Sequence, residues 1–272
     1  MPGVNGNPSP QAAFAFSELD TVYPGLKVVF RPAEFNWGEI NNAGVRDHAK
    51  GDVIVFLNDD MVCLSDGWDT RLVGQLTRPD VGVVGGRLLY PNGTIQHAGI
   101  TFCGNGKTAH EAMGDPSDDG LYLDRTLLVH EVGAVTGAFL SCRRQFFDEL
   151  GGFDAERYAI TSSDADFCVR ARNTGKAILY DPFLTWIHFE SITRGFDSGD
   201  YKKHWRAEQE HERWQSKFPE VELVDPSLNP HFTGSTPPSH SFHRMTLAAI
   251  RTWLEAQLNR GQLCPALIDG RS

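Results

Sequence analysis

The sequence predicts an α/β protein with a mostly parallel central sheet flanked by helices. Three features point that way. Val53-Ile54-Val55-Phe56-Leu57 is an unbroken apolar run rich in β-branched residues, the mark of a strand buried on both faces. A helical pattern over 36–49 precedes it, and a short strand over 26–30 comes before that, giving a strand–helix–strand unit with a right-handed crossover. A helix beginning at Asp66-Gly67-Trp68 and a buried strand at Val81–Val84 continue the alternation.

The elements follow in order. Residues 1–10, with Pro2, Gly3, Gly6, Pro8 and Pro10, are expected to be irregular. Residues 11–20 set Ala12, Phe16 and Leu19 at roughly helical spacing, and Tyr23-Pro24-Gly25 turns into the strand Leu26–Phe30. Ile40, Ala43 and Val45 form the apolar side of the helix over Asn36–Ala49, and Leu72, Val73 and Leu76 that of the next. Val81–Val84 and Arg87–Tyr90 read as separate strands, the second followed by a hairpin turn at Pro91-Asn92-Gly93-Thr94. Residues 103–124, rich in Gly, Asp, Ser and Pro, read as a functional flap or mobile loop. Val132–Leu140 reads as a strand or tight turn where backbone approaches something closely.

A short helix begins at Arg143 and stops at Gly151-Gly152. Another runs from Ser163 through Arg172, with Ser163 and Asp166 as an Asp-type capping box. Ala177–Tyr180 is a strand, and Tyr201–Phe218 a charged helix carrying Trp205 and Trp214. Residues 219–243 are linker-like. Met245–Arg260 forms a last amphipathic helix with Leu247, Ile250, Leu254 and Leu258 on one side.

Composition narrows the partners. The 272 residues are 40% hydrophobic and 11% aromatic, enough for a real core, which excludes global disorder. A net charge of −10 argues against nucleic acid as the main partner. No run approaches the roughly 18–20 apolar residues of a membrane span. No basic segment leads into an apolar one at the start, so no secretion signal is read. The five cysteines are widely spread without Cys-x-x-Cys spacing, as expected of reduced, mostly buried thiols in a cytoplasmic protein.

Directly after the central strand stand Asn58, Asp59 and Asp60. In an open α/β sheet, ligands bind beyond the carboxyl ends of the strands, so this acidic pair sits at the mouth of the expected site. Adjacent carboxylates repel unless a cation or solvent relieves them, and Mg²⁺ or Mn²⁺ take such oxygen ligands, often shared with phosphates. A solvated turn after a core strand is the alternative, because Asn and Asp favour turns.

The stretches Phe35–Gly44 (FNWGEINNAG), Phe56–Asp60 (FLNDD), Leu89–Gly99 (LYPNGTIQHAG), Thr136–Arg144 (TGAFLSCRR), Gly151–Arg170 (GGFDAERYAITSSDADFCVR) and His188–Gly195 (HFESITRG) stand in a telling order. Together, over about residues 10–228, they resemble the family 2 glycosyltransferases of the GT-A fold. The likeness is to the rhamnosyltransferase-like members of O-antigen and other surface-polysaccharide assembly.

The resemblance implies an inverting, metal-dependent hexosyl- or deoxyhexosyl-transferase. Its donor would be a nucleotide-diphospho-sugar and its acceptor a glycan or lipid-linked sugar. Asp60 and His188 would hold the divalent metal, Mn²⁺ or Mg²⁺. Imidazole suits Mn²⁺ better. Phe189 stands where members often carry a second histidine. Asp164 would be the general base, within reach of the acceptor hydroxyl; a first-turn acid favoured by the helix dipole is the plainer reading. Asp59, Asn42, Gly137 and Arg194 would line the donor side, Arg194 contacting the diphosphate through its planar fork; a polar helix face for Asn42, the favoured reading there, core packing for Gly137 and a surface loop for Arg194 are the alternatives. Gln96, His97 and Thr136 would face the acceptor.

The resemblance also marks a departure. The family's opening strand–helix unit is not found, and residues 4–10 look like a remnant of the loop after the second strand. The chain is therefore expected to begin inside the nucleotide-binding half, as a truncated GT-A domain over 1–228 followed by a linker and helix over 229–272. An inactive remnant that binds a glycan or partner is the rival reading. The helix at 245–260 is expected to pack on the domain, pair with a partner subunit, or rest on the inner face of the membrane.

Overall fold

The apolar run Val53–Leu57 does form the strand on which the site is built, but it stands at one end of the main sheet and not at its centre, with Ile54 and Phe56 buried, Val53 and Val55 half-buried and Leu57 exposed. The computed structural model describes residues 3–5, 18–19, 22–23, 25–31, 34–103, 107–120, 122–189, 201–218, 232–233, 239–242 and parts of 246–255. In chain order the strands are β1 (Gly3–Asn5), β2 (Val29–Arg31), β3 (Val53–Leu57), β4 (Met61–Cys63), β5 (Val81–Leu89), β6 (Ile95–His97), β7 (Ile100–Cys103) and β8 (Lys107–His110). They continue as β9 (His130–Glu131), β10 (Phe139–Arg143), β11 (Ala177–His188), β12 (Phe232–Thr233) and β13 (Ser239–Phe242). The helices are α1 (Trp37–Asp47), α2 (Trp68–Leu76), α3 (Arg144–Glu149), α4 (Ser163–Asn173) and α5 (Tyr201–Lys217), with a 3-10 turn at Tyr122–Leu127.

The main sheet runs β3-β10-β5-β11-β4, with β6 on β5 and β9 on β11. It is mixed rather than mostly parallel: β5 and β11 are parallel, whereas β10 is antiparallel to both β3 and β5, and β4 to β11. An apolar strand buried on both faces has the same pattern in either direction. Nor do the expected successive strands share a sheet: β2 pairs with β1 in a separate two-stranded sheet, while β10 enters the main sheet beside β3 after the long excursion through β6 to β9. Two cores result. Val45 of α1, Phe146 and Phe147 of α3, Phe167 of α4 and Trp214 of α5 pack one face, and Leu72 and Leu76 of α2 pack the other against Val84, Leu88, Phe139 and Trp186.

Several expectations are revised. Gly3–Asn5 is a strand, held by parallel pairing with Val29–Arg31, so residues 1–10 are not wholly irregular. Val81–Leu89 is one strand, not two. Its Gly85-Gly86 pair looks like a break but makes room: a Cβ on Gly85 would lie 2.5 Å from Val135, and one on Gly86 would strike the Leu184 carbonyl. The segment after residue 100 is no bare flap. It contains the β7–β8 hairpin, and the buried Phe102 of β7 rests against Trp214. Ala177–His188 is likewise a single strand, interrupted by a register shift between Asp181 and Thr185 where Pro182 sits.

The capping box is not formed. The residue before α4 is Ser162, in the left-handed region at φ 61°, while Ser163 Oγ donates to Tyr158 O at 2.6 Å. Asp166 is drawn instead into a buried ion cluster with Arg170 (2.7 Å) and Lys217 (2.5 Å). Cys142 and Cys168 are buried, and burial pushes the Cys142 thiol up to about 12; Cys63 is exposed. Residues 11–17, Arg194 and the boundary near 228 lie outside the described residues, as does most of the 245–260 helix. Among the described residues, no helix is long and apolar enough to cross a membrane.

Candidate active site

The site gathers at the end of β3. Asn58 leaves the strand with its N–H donating to Ala138 O at 3.0 Å, which joins the acidic turn to the loop entering β10. One residue earlier in that loop, the Gly137 N–H donates to Asp164 Oδ2 at 2.8 Å. The other oxygen of Asp164 accepts from Ala165 N at 2.8 Å. The acidic turn and the first turn of α4 are thus held by consecutive residues, Ala138 and Gly137. Gly137 cannot carry a side chain, because its Cβ would meet the Trp37 ring at 2.6 Å. That ring packs edge-on against Phe153, so the glycine answers to packing from α1 and not to an open donor cleft.

The approach to α4 is fixed from α5. Glu210 is buried, and its Oε2 accepts from Ile160 N (2.9 Å) and Thr161 N (2.8 Å). Ser162 follows in its left-handed conformation, which a non-glycine residue keeps only when its surroundings hold it. Nothing in the charged pattern of α5 marked Glu210 for this role; its partners are main-chain groups some 50 residues earlier, invisible to periodicity.

On the other side stands His188, at the end of β11. Its Nδ1 lies 2.6 Å from Gln96 Oε1, so the ring hydrogen on that nitrogen donates to the amide oxygen. Its Nε2 is 3.2 Å from the Asn58 amide nitrogen and 3.2 Å from Asp60 Oδ1. Asn58 donates to Nε2, and Asp60 Oδ1 is a buried oxygen without a hydrogen-bond partner. Two electron-pair donors therefore face one another, an arrangement that costs free energy unless a cation enters. The donor set, one carboxylate and one imidazole, suits Mn²⁺. Among the described residues, no group of three or more His, Cys, Asp or Glu is placed to hold a metal. Asp60 and His188 would leave remaining positions to water and substrate phosphates, the usual division for such ions.

The remaining sequence-predicted residues fall out as follows. Asp59 is exposed beside the turn. Asn42 is not free for a donor: its amide donates to Phe153 O at 2.8 Å and accepts from Phe153 N at 2.9 Å, tying α1 to the loop after α3. Gln96 and His97 are buried beneath the site and do not present an acceptor surface. The Thr136 N–H donates to His97 Nε2 at 3.4 Å, so the His97 hydrogen sits on Nδ1 and donates to His110 Nδ1 at 3.2 Å. Burial holds His97 well below the usual histidine range, with His110 and His188 adding to the effect. Thr136 is half-buried, its hydroxyl accepting from Ala138 N at 3.3 Å. A groove of about 950 Å³ runs beside α5, lined among others by Asn36, Ala159, Trp205, Arg206 and Arg213. It does not include Asp60 or Asp164, but it adjoins their support, since the Trp37 N–H donates to Ala159 O at 2.7 Å.

Comparison with known proteins bears on this arrangement. Residues 7–150 match the family model described as glycosyl transferase family 2. The O-antigen biosynthesis protein RfbC of Myxococcus xanthus is 32% identical over 231 residues, 85% of this chain and 18% of that protein. The uncharacterized protein y4gI of Sinorhizobium fredii is 30% identical over 229 residues, 83% of this chain and 25% of that one. This chain thus spans a quarter or less of those curated relatives. Among solved structures, GalNAc-T7 with UDP, GalNAc and Mn²⁺ superposes with a TM-score of 0.58 at 14% identity, over 82% of this chain and 45% of that one. The mannosyltransferase PcManGT of Pyrobaculum calidifontis, with GDP-Man and Mn²⁺, gives a TM-score of 0.53 at 15% identity, over 99% and 66%. At such identities these likenesses speak to fold alone, and the fold is GT-A.

Proposed function

This chain belongs to glycosyl transferase family 2, and from that premise we propose that it transfers a sugar from a nucleotide-diphospho-sugar to a glycan or lipid-linked acceptor with inversion. Asp164 is the general base. Its carboxylate, steadied by Gly137 N–H, takes the proton of the acceptor hydroxyl as that oxygen attacks the anomeric carbon opposite the diphosphate. Asp60 and His188 would hold a divalent cation, Mn²⁺ or Mg²⁺, with Asp59 on the donor side. Such a cation would supply Lewis-acid stabilisation of the departing diphosphate.

The observation that carries this reading is the shared anchor of the two carboxylate-bearing segments: Gly137 holds Asp164 while Ala138 holds Asn58, two residues before Asp60. The name of the Myxococcus relative supports surface-polysaccharide assembly as the setting. The reaction is read as cytoplasmic, beside the inner face of the membrane where a lipid-linked acceptor would be met. A longer acceptor would extend from Asp164 into the groove bordered by Trp205, which neither Asp60 nor Asp164 lines.

The test is release of nucleoside diphosphate from a panel of UDP-, GDP- and dTDP-sugars with Mn²⁺ or Mg²⁺ and a mixed glycan acceptor. Turnover that needs the cation and disappears in both Asp60→Ala and Asp164→Asn is expected. Turnover that persists in either variant at the wild-type rate contradicts the assignment.

A further inference from the structure

The motif Ile95-Gln96-His97 carries two polar residues into the protein interior, and burying a polar side chain is costly unless it is bonded. Gln96 spends its amide oxygen on His188 Nδ1 at 2.6 Å. We propose that Gln96 is a positioning residue that sets the tautomer of His188, keeping the hydrogen on Nδ1 and the Nε2 lone pair turned toward Asp60. This rests on the reading of His188 as a ligand to the divalent cation.

A histidine binds a metal through a bare nitrogen, and which nitrogen is bare is decided by the partner of the other one. Without an acceptor at Nδ1, the favoured arrangement of His188 reverses. A hydrogen on Nε2 would bond the Asp60 carboxylate 3.2 Å away, satisfying the unpartnered Oδ1 and closing the site to a cation. Gln96 therefore sustains the confrontation of acceptors that a cation relieves. The surrounding contacts agree, because Asn58 donates its amide hydrogen to the same Nε2 and so marks it as an acceptor. The reach from β6 to the end of β11 is built into the sheet, since both strands pair with β5 on opposite edges.

The experiment is long-range proton–nitrogen NMR correlation on the metal-free 272-residue chain, with the His188 signals identified by their loss in His188→Gln. Mn²⁺ titration with UDP or GDP, followed by electron paramagnetic resonance, is run in parallel. The wild type is expected to show a protonated Nδ1 and a bare Nε2. Gln96→Leu is expected to move the hydrogen to Nε2 and weaken Mn²⁺ binding about 10- to 100-fold. Gln96→Glu, which still accepts at Nδ1, keeps the wild-type tautomer. A wild-type ring protonated on Nε2, or a Gln96→Leu protein with unchanged tautomer and affinity, overturns the inference. Wild-type protein with the expected tautomer but no Mn²⁺ binding overturns the underlying cation reading instead. The NMR arm on unaltered protein does not depend on the folding of any variant.

Discussion

Asp60 Oδ1 and His188 Nε2 face each other across 3.2 Å with no hydrogen bond joining them. Both are acceptors, and both belong to segments fixed by other contacts, so neither relaxes away. Asp60→Asn offers the histidine an amide hydrogen and removes the buried charge. The metal-free variant is expected to melt at or up to about 2–4 °C above the wild type, the shift that roughly 1 kcal/mol gives at this size. Its turnover should fall about 100-fold or more, the scale of losing one preorganised charge-stabilising group. Calorimetry and diphosphate release check the two halves separately.

Asp164→Asn keeps an oxygen able to accept from Gly137 N–H, but its NH2 then faces the Ala165 N–H that the second carboxylate oxygen accepted, at a cost of about 1–3 kcal/mol. The expected outcome is a loss of about 100- to 10,000-fold in kcat, typical of a removed general base and far beyond what that loss of stability explains. Steady-state kinetics beside a melting curve tell this apart from a structural role.

Glu210→Ala leaves the Ile160 and Thr161 N–H groups buried without their carboxylate. Such loss costs about 1–3 kcal/mol and should also lower turnover, because the loop it frees leads directly to Asp164. Glu210→Gln still presents an acceptor oxygen and should stay near wild type. Urea unfolding of both variants is the measurement.

His130 is held below the usual histidine range, first by burial and then by the nearby Arg125 guanidinium. The unfolded chain therefore takes up this proton at a higher pH than the folded one. The contribution is fully present above about pH 6.5 and is lost as pH falls from there through the folded value. The slope is at most about 1.4 kcal/mol per pH unit for one group. His97 acts with the same sign. Unfolding measured from pH 7.5 to 5 should show stability declining on acidification, less steeply in His130→Gln, which lies off the site.

Trp205 stands exposed on the wall of the groove beside α5. Trp205→Ala is expected to slow transfer to a glycan acceptor several-fold while leaving acceptor-free hydrolysis of the donor unchanged. Parallel assays with and without acceptor separate the two; equal loss in both would show that the groove does not bind the acceptor.

The sequence made much of this legible because the strongest signals are local. The apolar run ending in Asn-Asp-Asp, the Pro-Asn-Gly hairpin and the helix opened by Ser163 each appear where the sequence puts them, although the capping box expected to open that helix is not formed. Strand direction was hidden, since a doubly buried strand reads alike both ways. The roles of Asn42, Gln96 and Glu210 were hidden for another reason: each is defined by a partner far along the chain, so composition around the residue carries no trace of it. Gln96 was expected to face the acceptor, and Asn42 to lie on a polar helix face or beside the donor; both are taken up by protein partners.

The proposed hold of Asp60 and His188 on a divalent cation is tested by Mn²⁺ binding to the purified chain, followed by electron paramagnetic resonance with and without UDP or GDP. Binding is expected to tighten when the diphosphate is present and to weaken at least about tenfold in Asp60→Asn. Mn²⁺ binding of equal strength in wild type and Asp60→Asn, indifferent to the diphosphate, would contradict it.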